Sequence, residues 1–265
     1  MIENLYFILA IALPPLVYSY IIYLTSPYKS LNLRDSFSFV AAGVFSIVVV
    51  YLFNAFFPGW DHQLTFDPFV QNFHIVAPKE ELSKFIMFLI IISGLQRDKG
   101  TLHPVAYMFY FAMVGLGFAL VENIGYTERY GYDALKIRTF TSTITHMICG
   151  LLFGYWIGLG KIVRSKFQSR SVLGVFLKSK PYLKSIYYST VGFLTAVSFH
   201  GLWNFNLASS GGAARAISIL LLFIGLIVAK MLFRDLVVQY RKSLEHKKSG
   251  PTYKFDNHPI NKNNV

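Results

Sequence analysis

Residues 76–95 read Val-Ala-Pro-Lys-Glu-Glu-Leu-Ser-Lys-Phe-Ile-Met-Phe-Leu-Ile-Ile-Ile-Ser-Gly-Leu. The uninterrupted apolar part, Phe85 to Ile92 and on to Leu95, is only about half the roughly 20 residues that a bilayer-spanning helix needs. To span, the helix has to begin near Val76. Glu80, Glu81 and Lys84 then lie on the helix and inside the membrane. Ionisable groups at such depth are expensive and mark functional sites by default.

The rest of the chain supports a membrane reading. Of its 265 residues, 54% are apolar and only 14% charged, and the mean hydropathy is +0.46. This composition excludes disorder and disfavours a soluble domain. Aromatic residues make up 17%, which suits many interfacial rings. A single cysteine, Cys149, excludes an intrachain disulfide framework. The net charge of +12 sits between and after the apolar runs, where it meets anionic lipid at the cytoplasmic face. No nucleic-acid-binding motif accompanies it, so no nucleic-acid partner is expected.

The expected fold is an all-α polytopic membrane helix bundle of about seven transmembrane helices. The spans run Leu5–Leu24, Phe37–Phe57, Val76–Leu95, Pro104–Gly125, Phe140–Leu159, Ile186–Leu207 and Ala216–Val237. The first reads as a retained anchor, because Glu3 precedes it without Lys or Arg and no small-x-small cleavage site follows. With the N-terminus outside, most of the 25 basic residues fall on the cytoplasmic side, so the expected orientation is N-out, C-in. Lys79, Arg129, Lys136, Arg138 and Arg215 are left to the outer loops.

Residues 1–240 then form one integral-membrane domain and residues 241–265 a basic, disordered cytoplasmic tail. The Lys161–Lys184 segment is either an amphipathic helix on the inner leaflet or a solvated loop. The outer loop before the third span, with Trp60, Phe66, Phe69 and Phe73, reads as interfacial or re-entrant. Its histidines, His62 and His74, read as solvated.

This topology brings several polar groups to one depth. Glu80, Glu81 and Lys84 occupy the outer half of the third span. Glu122 and Asn123 end the fourth. His146 lies in the outer part of the fifth, and His200 with Asn204 in that of the sixth. Spacing adds detail: Glu80 and Lys84 are i, i+4 and can pair, as Phe118 and Glu122 or His200 and Asn204 share a face. Gly150, Gly154 and Gly158 form a small-residue stripe that suits close helix packing.

Carboxylates and imidazoles in one water-accessible pocket permit two chemistries. A glutamate can deprotonate water for attack on a carbonyl, with His200 and Asn204 donating to the oxyanion. Alternatively Glu80, Glu122, His146 and His200 can hold zinc with an open position for water. Both routes hydrolyse an amide bond. Cys149, i+3 from His146, reads as a small buried thiol. A proton- or cation-coupled transporter would also line its path with such groups, but no repeated halves are visible. A non-catalytic binder of membrane segments would lack the glutamates.

The ordered set Glu80-Glu81-x-x-Lys84, Phe118-x-x-x-Glu122-Asn123, His146 and His200-x-x-x-Asn204 resembles the PrsW family of intramembrane proteases. That family is related to the CAAX prenyl endopeptidases and to bacteriocin-processing membrane proteases. The CAAX-type relatives carry histidine where this chain has Glu122, which argues against a prenyl-protein substrate. The resemblance implies an intramembrane endopeptidase of the bacterial cytoplasmic membrane, cutting membrane-anchored proteins near the outer face. Site-1 cleavage of an anti-sigma factor is the best-known example. It implies catalytic roles for Glu80, Glu81, Lys84, Glu122, His200 and Asn204, and either Zn2+ or a metal-free glutamate mechanism.

Overall fold

A computed structural model of the chain describes residues 2–25, 31–58, 67–99, 102–163, 181–208 and 212–248. All the regular structure among them is helical. The seven long helices are α1 (Ile2–Thr25), α2 (Leu33–Phe56), α3 (residues 68–99), α4 (Pro104–Tyr130), α6 (Ser142–Val163), α7 (Pro181–Ala208) and α8 (Gly212–Lys248). The short α5 (Tyr132–Phe140) links α4 to α6. Among the described residues, four stretches are long and apolar enough to cross a bilayer: Leu33–Phe56, Pro104–Tyr130, Tyr132–Ile162 and Gly212–Glu245.

The element boundaries correct the sequence reading in three places. First, α3 begins well before Val76. Asp67 caps it by accepting from the Phe69 amide at 2.8 Å, Pro68–Val70 forms the first turn, and Gln71–Val76 is π-helical before Ala77–Lys99 continues as α-helix. Phe69 and Phe73 therefore lie on a helix rather than in a loop, stacked at 4.6 Å and packed against Phe205 of α7. Lys79 also leaves the outer loops; its buried ammonium donates to Asn54 of α2 at 2.7 Å. Second, the expected fifth span breaks at Thr141, so that α5 and α6 meet at an elbow. Third, α8 continues to Lys248. Ser243 is buried there and donates to the Tyr240 carbonyl, so residues 241–248, expected in the tail, belong to this helix. Trp60, His62, Phe66, residues 164–180 of the basic segment and residues 249–265 lie outside the described residues.

α4 is the centre of the bundle, with 83% of its apolar window buried. Its neighbours approach closely because glycines face its backbone. A methyl group on Gly150, Gly154 or Gly158 of α6 would strike the carbonyls of Phe111, Tyr107 and Pro104, so the expected stripe is the α4–α6 seam. Beneath the polar residues lies an aromatic core. Phe39 stacks on Tyr110 at 4.3 Å, Phe88 meets Phe111 at 4.6 Å, and Phe153 meets Phe111 at 4.5 Å and Phe85 at 4.8 Å. This floor fixes the relative rotation of α2, α3, α4 and α6, and so decides which polar side chains face each other above it.

Candidate active site

The cluster is built on α3, α4, α6 and α7. Two features set the register of α3 against α7. The π-helical stretch places Phe73 over Gly201, where any side chain on residue 201 would strike the ring. π-helical insertions are often found beside functional sites. One turn on, Glu80 and Glu81 project from α3 towards His200, the residue before that glycine.

Glu81 is the hub. It is fully buried, and its Oε1 accepts from Lys84 Nζ at 2.6 Å and from His200 Nδ1 at 2.8 Å. The expected i, i+4 pair of Glu80 with Lys84 is thus replaced by the i, i+3 pair of Glu81 with Lys84. Lys84 also reaches His146 Nδ1 at 3.1 Å and lies over the Phe118 ring at 4.5 Å. An ammonium has donors only, so His146 Nδ1 accepts and the ring proton sits on Nε2. From there it is donated to Glu122 Oε2 at 2.6 Å. His200 has the opposite arrangement: Nδ1–H donates to Glu81, which leaves Nε2 facing Glu80 Oε2 across 3.7 Å. The two rings stand perpendicular with centroids 5.0 Å apart.

One sequence-predicted member is not drawn in. Asn204 is half-buried a turn beyond His200, and no hydrogen bond ties it to the cluster among the described residues. One member was missed. Arg138 of α5, expected in an outer loop, pairs with Glu122 Oε2 at 2.7 Å. It also donates to Asn123 Oδ1 and Ser142 Oγ, both at 2.9 Å, and covers the Tyr126 ring at 3.6 Å. Asn123 in turn donates to Thr143 Oγ1 at 2.9 Å. The elbow between α5 and α6 makes this possible by folding Arg138 back onto α4. A sequence signal was hard to find, since a lone arginine eight residues before His146 looks like an ordinary loop charge.

The donor set suits a divalent cation. Glu80, His146 and His200 each offer one ligand atom, and these lie within 4.8 Å of one another. Glu80 Oε2 and Glu81 Oε2 are buried without a hydrogen-bond partner, an uncommon state that calls for an explanation such as an ion or water. One carboxylate and two imidazoles form a zinc ligand set, although His146 would have to release one of its two hydrogen bonds to join. Glu81, Cys149 and His200 form a second, overlapping group. Cys149 is buried as expected, with its thiol 3.7 Å from the Ala196 carbonyl. Glu122, expected among possible ligands, belongs to neither group and is held by Arg138 and His146. His74 is exposed and meets the Phe69 ring edge-on.

The model of the PrsW family of intramembrane metalloproteases matches residues 36–231, which include every residue of this cluster. The chain belongs to the PrsW family. Among curated proteins, it is 24% identical over 139 residues to Protease PrsW of Oceanobacillus iheyensis, a match covering 52% of this chain and 55% of that protein. It is 31% identical over 113 residues to Protease PrsW of Shouchella clausii, covering 42% and 50%. These alignments span about half the length of the curated relatives. No solved structure matches the chain. PrsW membership accords with the helical bundle and with a carboxylate–imidazole cluster at its core.

Proposed function

We propose that this chain is an intramembrane endopeptidase that hydrolyses peptide bonds of membrane-anchored proteins near the outer face of a bacterial cytoplasmic membrane. The observation that carries the reading is the 3.7 Å gap between Glu80 Oε2 and His200 Nε2, bordered by a carboxylate oxygen with no partner of its own. Two such groups, a base and an imidazole nitrogen too far apart to bond each other, can both reach one water molecule seated beside them.

Glu80 is the group for proton abstraction, because its free oxygen faces the gap. Glu81 orients His200 by holding Nδ1–H, so that Nε2 is the nitrogen presented to the substrate. In that state Nε2 accepts; donation to an oxyanion requires the ring to take the proton that Glu80 removes from water. Lys84 donates to both Glu81 and His146 and so fixes them relative to each other. His146 and Arg138 hold Glu122 as a second carboxylate beside the gap. In the alternative route zinc is the proposed metal: Glu80, His146 and His200 would hold it, and it would take over from Glu80 and His200 Nε2 the activation of water and the polarising of the carbonyl. The N-out, C-in orientation rests on the charge distribution, and places the cluster towards the outer leaflet. Anti-sigma factor cleavage as a first cut is the substrate suggested by family membership alone.

The test combines cleavage with elemental analysis of the purified full chain. Glu80→Gln and His200→Ala are expected to abolish cleavage of a single-pass model substrate while the protein still inserts. Wild type is expected to carry about one zinc per chain, lost in His200→Ala. Retained cleavage in both variants would remove the protease reading. Cleavage by metal-free protein, undiminished by a strong chelator, would remove the zinc and leave Glu80 as the base.

A further inference from the structure

The catalytic cluster is almost sealed. Glu81, Lys84, His146 and His200 are at most 2% exposed, whereas the Glu80 side chain is 13% and the Glu122 side chain 17% exposed. The exposure of Glu122 has a direction. A cleft of about 220 Å³ opens between α2 and α4, lined by Ile47 and Tyr51 on one side and by Glu122, Gly125, Tyr126 and Tyr130 on the other. Glu122 thus belongs to both spaces: it lines the cleft, and its Oε2 accepts from His146 within the cluster. Gly125, one turn after Glu122, has no atom within 4 Å of where a side chain would begin, so the helix is left bare where the cleft passes.

We propose that this cleft is the lateral entry through which an extended segment of a membrane-anchored protein reaches the cluster, with Glu122 at the junction. The inference rests on the protease reading and adds the route and the form of the substrate. Three observations select this occupant. Continuity with the site through one shared carboxylate gives the cleft a destination. Its size admits a side chain or two and several waters but no folded domain, so the chain has to enter extended. Three tyrosines line it beside Arg129, with rings that pack on apolar side chains and hydroxyls that, like the guanidinium, serve a peptide backbone. An opening on the flank of the bundle receives a chain already anchored in the bilayer without lifting it out, and the same opening admits water.

The test uses the full chain in liposomes with a synthetic single-pass peptide, carrying a fluorophore and quencher across its outer juxtamembrane segment. Gly125→Trp, whose Cβ meets no atom within 4 Å, puts an indole in the cleft and is expected to lower kcat/KM by at least about tenfold. Gly94→Trp, equally unobstructed but on an exposed face of α3 remote from the cluster, is expected to behave as wild type. In parallel, a photoreactive benzoylphenylalanine at Tyr51 is expected to crosslink the peptide, in wild type and in Glu80→Gln alike; the same group at Phe223, exposed on α8, is not. Crosslinking needs no turnover, so it judges the entry route even if the chain proves not to be a protease. Wild-type cleavage by Gly125→Trp, or a Tyr51 probe that captures lipid only, overturns the proposal.

Discussion

α8 and α4 invert the usual relation between apolarity and burial. The apolar window of α8 is only 22% buried, with Phe223, Ile227 and Met231 turned outward, whereas that of α4 is 83% buried. A surface this greasy is stable only against lipid, so α8 is a wall and α4 a core. The helices with Glu80, Glu81 and Lys84 or with His200 are absent from the four stretches that qualify as spans by length and apolarity. The comparison teaches that apolarity in this bundle does not by itself tell wall from core. The polar cluster joins two helices too polar to qualify as spans alone, which carry Glu80, Glu81, Lys84 and His200, to Glu122 and His146 on two that do qualify.

The comparison can be broken by substitution, and the largest effect is expected at the hub. Glu81→Ala strands the Lys84 ammonium, which is 1% exposed. Removing one partner of a buried pair typically destabilises by about 3–5 kcal/mol; thermal unfolding in detergent should show it, and cleavage should be lost. A stable, active Glu81→Ala protein would refute the hub. Next, Arg138→Ala frees Glu122, His146 and the α5–α6 elbow. Loss of such an orienting partner is expected to reduce turnover about 10–100-fold, with partial rescue by Arg138→Lys. A double-mutant cycle with Glu122 should show strong coupling, and additive effects would mean that the ion pair is incidental.

A smaller effect, on stability, is expected at the seam. Gly154→Ala sets a methyl against the Tyr107 carbonyl, and overpacking of this kind usually costs about 1–3 kcal/mol. An unchanged unfolding temperature would show that α4 and α6 can part freely. The smallest effect belongs to the wall. Phe223→Leu on α8 should alter stability by no more than about 0.5 kcal/mol, and a large loss would indicate that another protein surface covers this face.

Much of the fold was legible in the apolar runs: the seven expected spans correspond to seven long helices among the described residues, though only four stretches are long and apolar enough to qualify by themselves. The polar layer was legible too, since Glu80, Glu81, Glu122, His146 and His200 have no business at membrane depth unless they meet. The pairings were not legible. Helical spacing permits Lys84 to reach back three or four residues, and only the position of His200 on another helix makes Glu81 the partner. Asn204 shares a face with His200 by spacing, yet is not bonded to the cluster. Arg138 was assigned to solvent because nothing local announces the elbow at Thr141 that returns it to Glu122.

The amino-acid sequence by itself determined that this chain is a helical membrane protein with acids and imidazoles at one depth, because the energy of transfer into lipid acts residue by residue. It also carried the ordered motif that places the chain in its family. Tertiary structure decided which of those groups touch, which ring nitrogen holds the proton, and that Glu122 lines a cleft between α2 and α4. Such choices depend on how helices rotate against one another, and that rotation is set by glycine seams and stacked rings far apart in the chain.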